Sequence, residues 1–257
     1  RTCVTIDLGP ASEQLIRALN QINGTCTLAE IRDTLTLKEH HRFNKLVEEL
    51  YRLNVIEIAE QKKLAIEASK IAGIDYERFD RQINLFKARM GNYQDAVRIQ
   101  EKLHSARIAL IGLGGCGSYI FYTLSAMGIG GLDSYEFDTV DISNLSRQIL
   151  YTHDDIGAKK IDVARKKSRS ISPTTNFKFF EKKIETLDDA IKVFTDVDLV
   201  ICAADIPRPD FFFMMNRAAY HANIPILFVG SSTTNAIIGP LLIPGQTRCF
   251  KCIGNLP

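Results

Sequence analysis

The chain has 257 residues, 46% of them hydrophobic and 24% charged, enough to bury a full core in a small domain beside a larger one. Its 32 Lys and Arg nearly balance its 30 Asp and Glu, and a net charge of +2 excludes polyanion binding as its main role, so any nucleotide site must be local. Six scattered cysteines (Cys3, Cys26, Cys116, Cys202, Cys249, Cys252) exclude a disulfide scaffold, the lack of a long apolar run excludes a membrane span, and a cytoplasmic protein is expected.

Val4, Ile6 and Leu8 alternate as in a strand that Gly9-Pro10 ends, and Leu15, Ile16, Leu19 and Ile22 then recur at helical spacing. Thr27 with Glu30, and Thr36 with Glu39, fit the capping box that opens a helix. The second of those helices carries Phe43, Leu46, Val47, Leu50 and Leu53 on one face, and Val55 to Ile58 reads as a short strand. Strand, three helices and strand predict a small winged-helix-like domain over residues 1–60.

Residues 61–105 hold few Gly or Pro and predict a helical connector. From 106 to 257 strands and helices alternate. Strands are expected at 107–111, 132–137, 176–180, 198–203, 224–229 and 237–243, and helices at 118–127, 157–170, 186–195 and 209–222. That alternation predicts an α/β fold with a doubly wound, Rossmann-like sheet. The chain starts at Arg1 rather than Met and stops shortly after a C-x-x-C pair, so both ends are expected to be cut.

Gly112-x-Gly114-x-x-Gly117, between a strand and a helix, sets backbone amides against phosphate at a helix N-terminus, where no side chain blocks approach. Glu136, about 20 residues on, is placed to accept from ribose hydroxyls. These two features alone fit an NAD-dependent oxidoreductase or a purely structural glycine turn as well.

The stretch Glu136-Phe-Asp138-Thr-Val-Asp-Ile-Ser-Asn144-Leu-Ser-Arg147-Gln148, followed by Gly157-Ala-Lys-Lys160 and by Asp198-Leu-Val-Ile-Cys-Ala-Ala-Asp205, resembles the MoeB/ThiF family and its larger relatives, the ubiquitin-activating enzymes. The resemblance runs from about Arg78 to Pro257. It implies an adenylyltransferase that uses ATP and Mg²⁺ to activate a carboxylate or carboxamide. In that reading Gly115 and Glu136 hold the nucleotide, with Gly112, Gly114, Gly117, Asp138 and Gln148 around them. Asn144, Arg147 and Lys160 bind the triphosphate, Asp205 holds magnesium, and Arg81 reaches into a partner subunit's site, which implies a homodimer. The family usually has Asp where Glu136 stands.

The chemistry agrees on independent grounds, because a triphosphate repels an incoming carboxylate oxygen unless cations offset its charge. Arg147 suits bidentate phosphate binding, Lys160 is a compact charge, and Asp205 suits a hard cation. Lys159, Lys160, Arg165, Lys166 and Lys167 also read as a solvated basic helix face. Cys249-x-x-Cys252 has the spacing of half a zinc site, and the resemblance implies structural Zn²⁺ completed by a second pair. Cys116 and Cys202 read as core or loop residues rather than nucleophiles.

Residues 1–60 hold seven Lys and Arg against nine Asp and Glu, a net of −2 that disfavours nucleic acid. Asp7-Leu-Gly-Pro10, Gly24-Thr-Cys-Thr-Leu-Ala-Glu-Ile31 and Leu46-Val-Glu-Glu-Leu50 resemble a PqqD-like recognition element that captures a leader peptide as an added strand, although a packing or dimerisation domain stays open. The expectation is adenylation of a ribosomally made precursor peptide in natural-product biosynthesis, as in microcin-type enzymes. The alternatives are activation of a small sulfur carrier protein and an inactive leader-binding scaffold.

Overall fold

The computed structural model describes residues 12–53, 55–204, 210–231, 234–249 and 252. The chain divides into two compact units, Arg1–Val97 and Arg98–Pro257. Among the described residues no helix is long and apolar enough to cross a membrane.

The first unit is helical. Helix α1 (Glu13–Asn20) is capped by Ser12, whose hydroxyl accepts from the Leu15 amide, and α2 (Leu28–Asp33) opens on the expected Thr27–Glu30 capping box. Before α3 (Leu37–Arg52), Thr36 makes no side-chain bond to the backbone and instead donates to Glu39 at 3.1 Å. Leu15, Ala18, Ile31, Leu35 and Phe43 close a small core among these three helices. The strand expected at Leu8 and before lies outside the described residues. The one expected at Val55–Ile58 does not form: the Val55 and Ile56 amides turn back to the Leu50 carbonyl at 2.9 and 3.4 Å, extending the end of α3 as a bend. Three β-branched apolar residues in four, Val55, Ile56 and Ile58, favoured a strand, but the local helix C-terminus claimed the first two amides.

Helices α4 (Ala59–Ile71), α5 (Tyr76–Met90) and α6 (Tyr93–Ser105) follow, as the low Gly and Pro content of this stretch led one to expect. Asp75 caps α5 and Gly91, at φ +83°, ends it in the left-handed region. Ile83, Ala96 and Val97 form the centre of a second core with Tyr76, Phe79 and Tyr93.

The second unit is a six-stranded sheet in the order β3-β2-β1-β4-β5-β6, with β1 (Arg107–Ile111), β2 (Gly131–Glu136), β3 (Asn176–Glu181), β4 (Leu199–Cys202) and β5 (Ile226–Ser231) parallel and β6 (Ala236–Leu242) antiparallel. Helices α7 (Gly115–Ala126), α8 (Lys160–Ile171), α9 (Leu187–Val193) and α10 (Asp210–Ala222) connect the strands. Ile108 and Leu110 of β1 face the core that holds Phe121 of α7 and Ile161 and Ala164 of α8. Ala109 and Ile111, pointing the other way, join Ala190 of α9 and Met215 and Ala218 of α10. Both faces of the sheet's centre are therefore covered, which is why β1, β4 and β5 read as largely continuous apolar runs. The chain leaves β1 for β2 on one side and later adds β4 on the other side of β1, opening a crevice beyond the carboxyl ends of β1 and β4 where such sheets bind ligands.

Candidate active site

The glycine loop lies at that crevice. Gly112 has φ +87°, and a Cβ there would stand 3.1 Å from the Ala204 nitrogen, so glycine both permits the turn and lets β1 approach the end of β4. Gly117 is more constrained: a Cβ would lie 1.9 Å from the Gly112 carbonyl oxygen. Helix α7 starts at Gly115, three residues earlier than its apolar pattern suggested, so its free N-terminal amides belong to the loop itself.

Glu136, at the end of β2, is 5% exposed. Its carboxylate accepts from the backbone amides of Leu113 at 2.8 Å, Phe137 at 2.7 Å and Asp138 at 2.9 Å. A carboxylate offers about four acceptor positions, so three are spent holding the glycine loop to the end of β2 and about one is left for a ligand hydroxyl. Sequence reasoning expected a ligand contact here and missed this structural task. On the far side of the loop the Tyr151 hydroxyl donates to the Leu113 carbonyl at 2.9 Å. Burial pushes that phenol well above its ordinary pKa, with the charges of Glu136 and Asp138 adding to the effect, so it remains a neutral donor.

Lys160 opens α8, and its amide donates to the Asp138 carbonyl at 2.9 Å while Thr139 and Lys159 form a bridge. The loop after β2 is thereby pinned to the start of the helix. The Lys160 side chain is only 6% exposed, in contrast to a solvated basic face, and its ammonium meets the half-exposed Asp138 carboxylate at 3.2 Å. An ammonium has three donors, and one carboxylate partner leaves two for other oxygens. Its neighbour Lys159 instead pairs with Glu181 on the surface.

Asn144 is buried and spends its side-chain oxygen on the Asp141 amide at 3.1 Å, closing a 3-10 turn over Ile142–Ser146. Arg147 follows that turn; its guanidinium donates to the Ser143 carbonyl at 2.9 Å and its side chain passes within 3.9 Å of where a Gly115 Cβ would stand. Gln148 is buried beside Gly114, and among the described residues its amide oxygen has no hydrogen-bond partner.

A cavity of about 850 Å³ occupies the crevice, within the range of ligand sites. It is lined by Gly112, Gly114, Glu136, Asp138 and Lys160, which sequence reasoning named, and by Ile111, Tyr135, Phe137, Ala203 and Ala204 beside them. Asn144, Arg147 and Gln148 are not among the residues that line the cavity; Arg147 and Gln148 lie beside Gly115 and Gly114 of the glycine loop. Lys182, Lys183, Ile184 and Leu187 after β3, and Asp210, Met214 and Arg217 of α10, also line it. No sequence motif announced these last residues; Met214 and Arg217 sit three apart on a helix, which is the one periodic signal available. Burial pushes the Tyr135 phenol up to about 12, with Asp133 adding to the effect, so it too is uncharged at neutral pH.

Asp205 lies outside the described residues. Arg81 sits on α5, with its side chain 90% exposed and Asp80 at 3.7 Å. Cys249 and Cys252 bring their sulfurs to 3.2 Å, and the Cys252 amide points at the Cys249 sulfur at 3.4 Å. Among the described residues no third His, Cys, Asp or Glu joins them in a metal-binding group. Cys202 is fully buried in β4 and Cys116 half-buried in the glycine loop.

The fold and crevice define the class: a doubly wound α/β protein with a phosphate-type glycine loop and a buried lysine at its switch point. The ThiF family model matches residues 79–257, and the chain belongs to that family. It is 37% identical over 106 residues to a probable molybdopterin-synthase adenylyltransferase of Porphyra purpurea, covering 41% of this chain and 28% of that protein. It is 33% identical over 163 residues to a sulfur carrier protein adenylyltransferase of Thermus thermophilus, covering 62% and 59%. The chain thus spans between about a quarter and three fifths of the length of these two relatives. Among solved structures, E. coli MccB with ATP superposes at a TM-score of 0.71 and 23% identity, over 95% of this chain and 68% of that one. The microcin C7 biosynthetic enzyme MccB in complex with N-formylated MccA superposes at 0.72, also at 23% identity, over 95% of this chain and 66% of that one.

Proposed function

We propose that the chain adenylates a carboxylate or carboxamide of a ribosomally made precursor peptide, using ATP. The observation that carries the adenylation is the pairing of free amides at the start of α7 with the buried Lys160 ammonium, both at a cavity large enough for a nucleotide. The glycine loop takes the phosphates, the last acceptor position of Glu136 suits a ribose hydroxyl, and Lys160 and Arg147 offset phosphate charge. The acceptor oxygen attacks the α-phosphorus and pyrophosphate leaves, which turns a poor leaving group into AMP. Magnesium held by Asp205 would supply further charge at the departing pyrophosphate.

Residues 1–60 are assigned to leader capture, on their acidic balance and on a fold shared with MccB across 95% of the chain. The second reading, adenylation of a small sulfur carrier protein, is favoured by the names of the curated relatives, among them the ThiS adenylyltransferase of E. coli, 27% identical over 70% of this chain. ATP-pyrophosphate exchange separates the two. Exchange is expected with the cognate precursor peptide; exchange with a sulfur carrier alone would reassign the protein to sulfur transfer, and nucleotide binding without exchange to either would leave a scaffold.

Two further assignments complete the reading: a homodimer in which Arg81 serves the partner's site, and structural zinc on Cys249 and Cys252. Two thiolates at about 2.3 Å from one tetrahedral zinc stand roughly 3.8 Å apart, so the observed 3.2 Å pair needs only a small opening to become half a shell. Metal analysis of the reduced protein is expected to find zinc that the Cys249→Ser variant lacks. A metal-free wild type would remove this assignment.

A further inference from the structure

Of the four cations on the cavity wall, three are already matched to carboxylates. Lys160 meets Asp138 at 3.2 Å, Lys182 meets Asp189 at 2.5 Å, and Lys183 meets Glu185 at 2.7 Å. Arg217 is the fourth, exposed on α10, and among the described residues it has no ion pair. Asp210 lines the same wall but stands two turns earlier on the helix.

The placement of Arg217 gives that free charge a direction. Helix α10 packs on the sheet face that holds Ala109, Ile111 and Cys202, whereas α7 and α8, which carry the glycine loop and Lys160, pack on the opposite face. The same cavity touches Gly112 and Lys160 from one layer and Arg217 from the other. A triphosphate lying on the glycine loop carries several negative charges, against which Lys160 contributes one charge already shared with Asp138. An unpaired guanidinium across the cavity, planar and with five donors, is the group best suited to the phosphate oxygens that face away from α7.

We infer that Arg217 is a phosphate-binding residue of the nucleotide site, closing from α10 a cradle that the glycine loop and Lys160 build from the other face of the sheet. The inference rests on the nucleotide reading of the cavity and adds a contact outside every motif that suggested that reading.

Calorimetric titration of the full chain with ATP, and separately with adenosine, tests it in wild type, Arg217→Gln and Arg217→Lys. Losing a charge-assisted phosphate contact is expected to weaken ATP by about ten- to a hundredfold in Arg217→Gln while leaving adenosine within about twofold, with Arg217→Lys in between. An unchanged melting temperature accompanies this result, because the side chain is exposed. Equal ATP affinity in wild type and Arg217→Gln overturns the inference while the nucleotide reading stands. Parallel losses for ATP and adenosine also overturn it, by moving Arg217 to the nucleoside. Absence of ATP binding by the wild type removes the nucleotide reading itself, and the inference with it.

Discussion

Replacing Gly117 with Ala is expected to leave little or no folded second unit. The new Cβ would sit 1.9 Å from the Gly112 carbonyl oxygen and 2.7 Å from its carbonyl carbon, far inside any contact that real atoms tolerate. The obstructing atoms are backbone, in a loop whose Leu113 amide is held by Glu136 and whose Leu113 carbonyl is held by Tyr151, so no rotamer change relieves the clash. Either β1 is pushed off α7 or the loop is rebuilt. Both break the packing of Leu113 and Phe121, which are fully buried. Overpacking a tight core usually costs about 1–3 kcal/mol, and a backbone-on-backbone overlap belongs above that range, at roughly 4 kcal/mol or more. Chemical denaturation checks this, with Gly157→Ala as a comparison: Gly157 has a positive φ but open space around its Cβ position, so it loses only about 1 kcal/mol from conformational strain. A Gly117→Ala protein as stable as wild type would show that the loop relaxes in a way the packing forbids.

Lys160→Ala is expected to lower ATP-pyrophosphate exchange by about 10²–10³-fold, the usual effect of removing one preorganised charge from a water-poor site. The loss belongs to chemistry and ATP binding more than to folding. Asp138, the partner left behind, is about half exposed and is solvated without help. A melting temperature within a few degrees of wild type would separate the two effects. If Arg81 serves the partner's site, the same variant has a second use. Mixing Lys160→Ala subunits with Arg81→Ala subunits creates heterodimers with one complete site, and the mixture should regain about a quarter of the wild-type rate. No recovery, with exchange of subunits verified, would place Arg81 in its own chain's surface rather than in another's site.

The second unit was legible in the sequence because its signals are short-range. A Rossmann crossover is announced by apolar strand runs, a glycine loop and a helix within about 30 residues, and each reports on neighbours close in the chain. The strands at 107–111 and 176–181 and the helix at 210–222 appear within a residue of their expected bounds, and the helix at 160–171 starts three residues later than expected. Lys160 was distinguishable from Lys159 only through the family spacing, and burial supplies the reason: one faces the cavity and the other Glu181.

What the sequence left open depended on contacts between distant segments. Val55–Ile58 has the composition of a strand, but a strand needs a partner, and the nearby Leu50 carbonyl took the amides instead. Glu136 reads as a ligand contact because its position in the motif is local information. Its three amide bonds, to Leu113, Phe137 and Asp138, exist only once β2 lies beside β1. Arg217 carries no motif, only its helical spacing from Met214. It reaches the cavity because α10 packs on one face of the sheet while the glycine loop rises from the other, a juxtaposition of residues about a hundred positions apart that the crossover at β1 and β4 produces and no periodicity can announce.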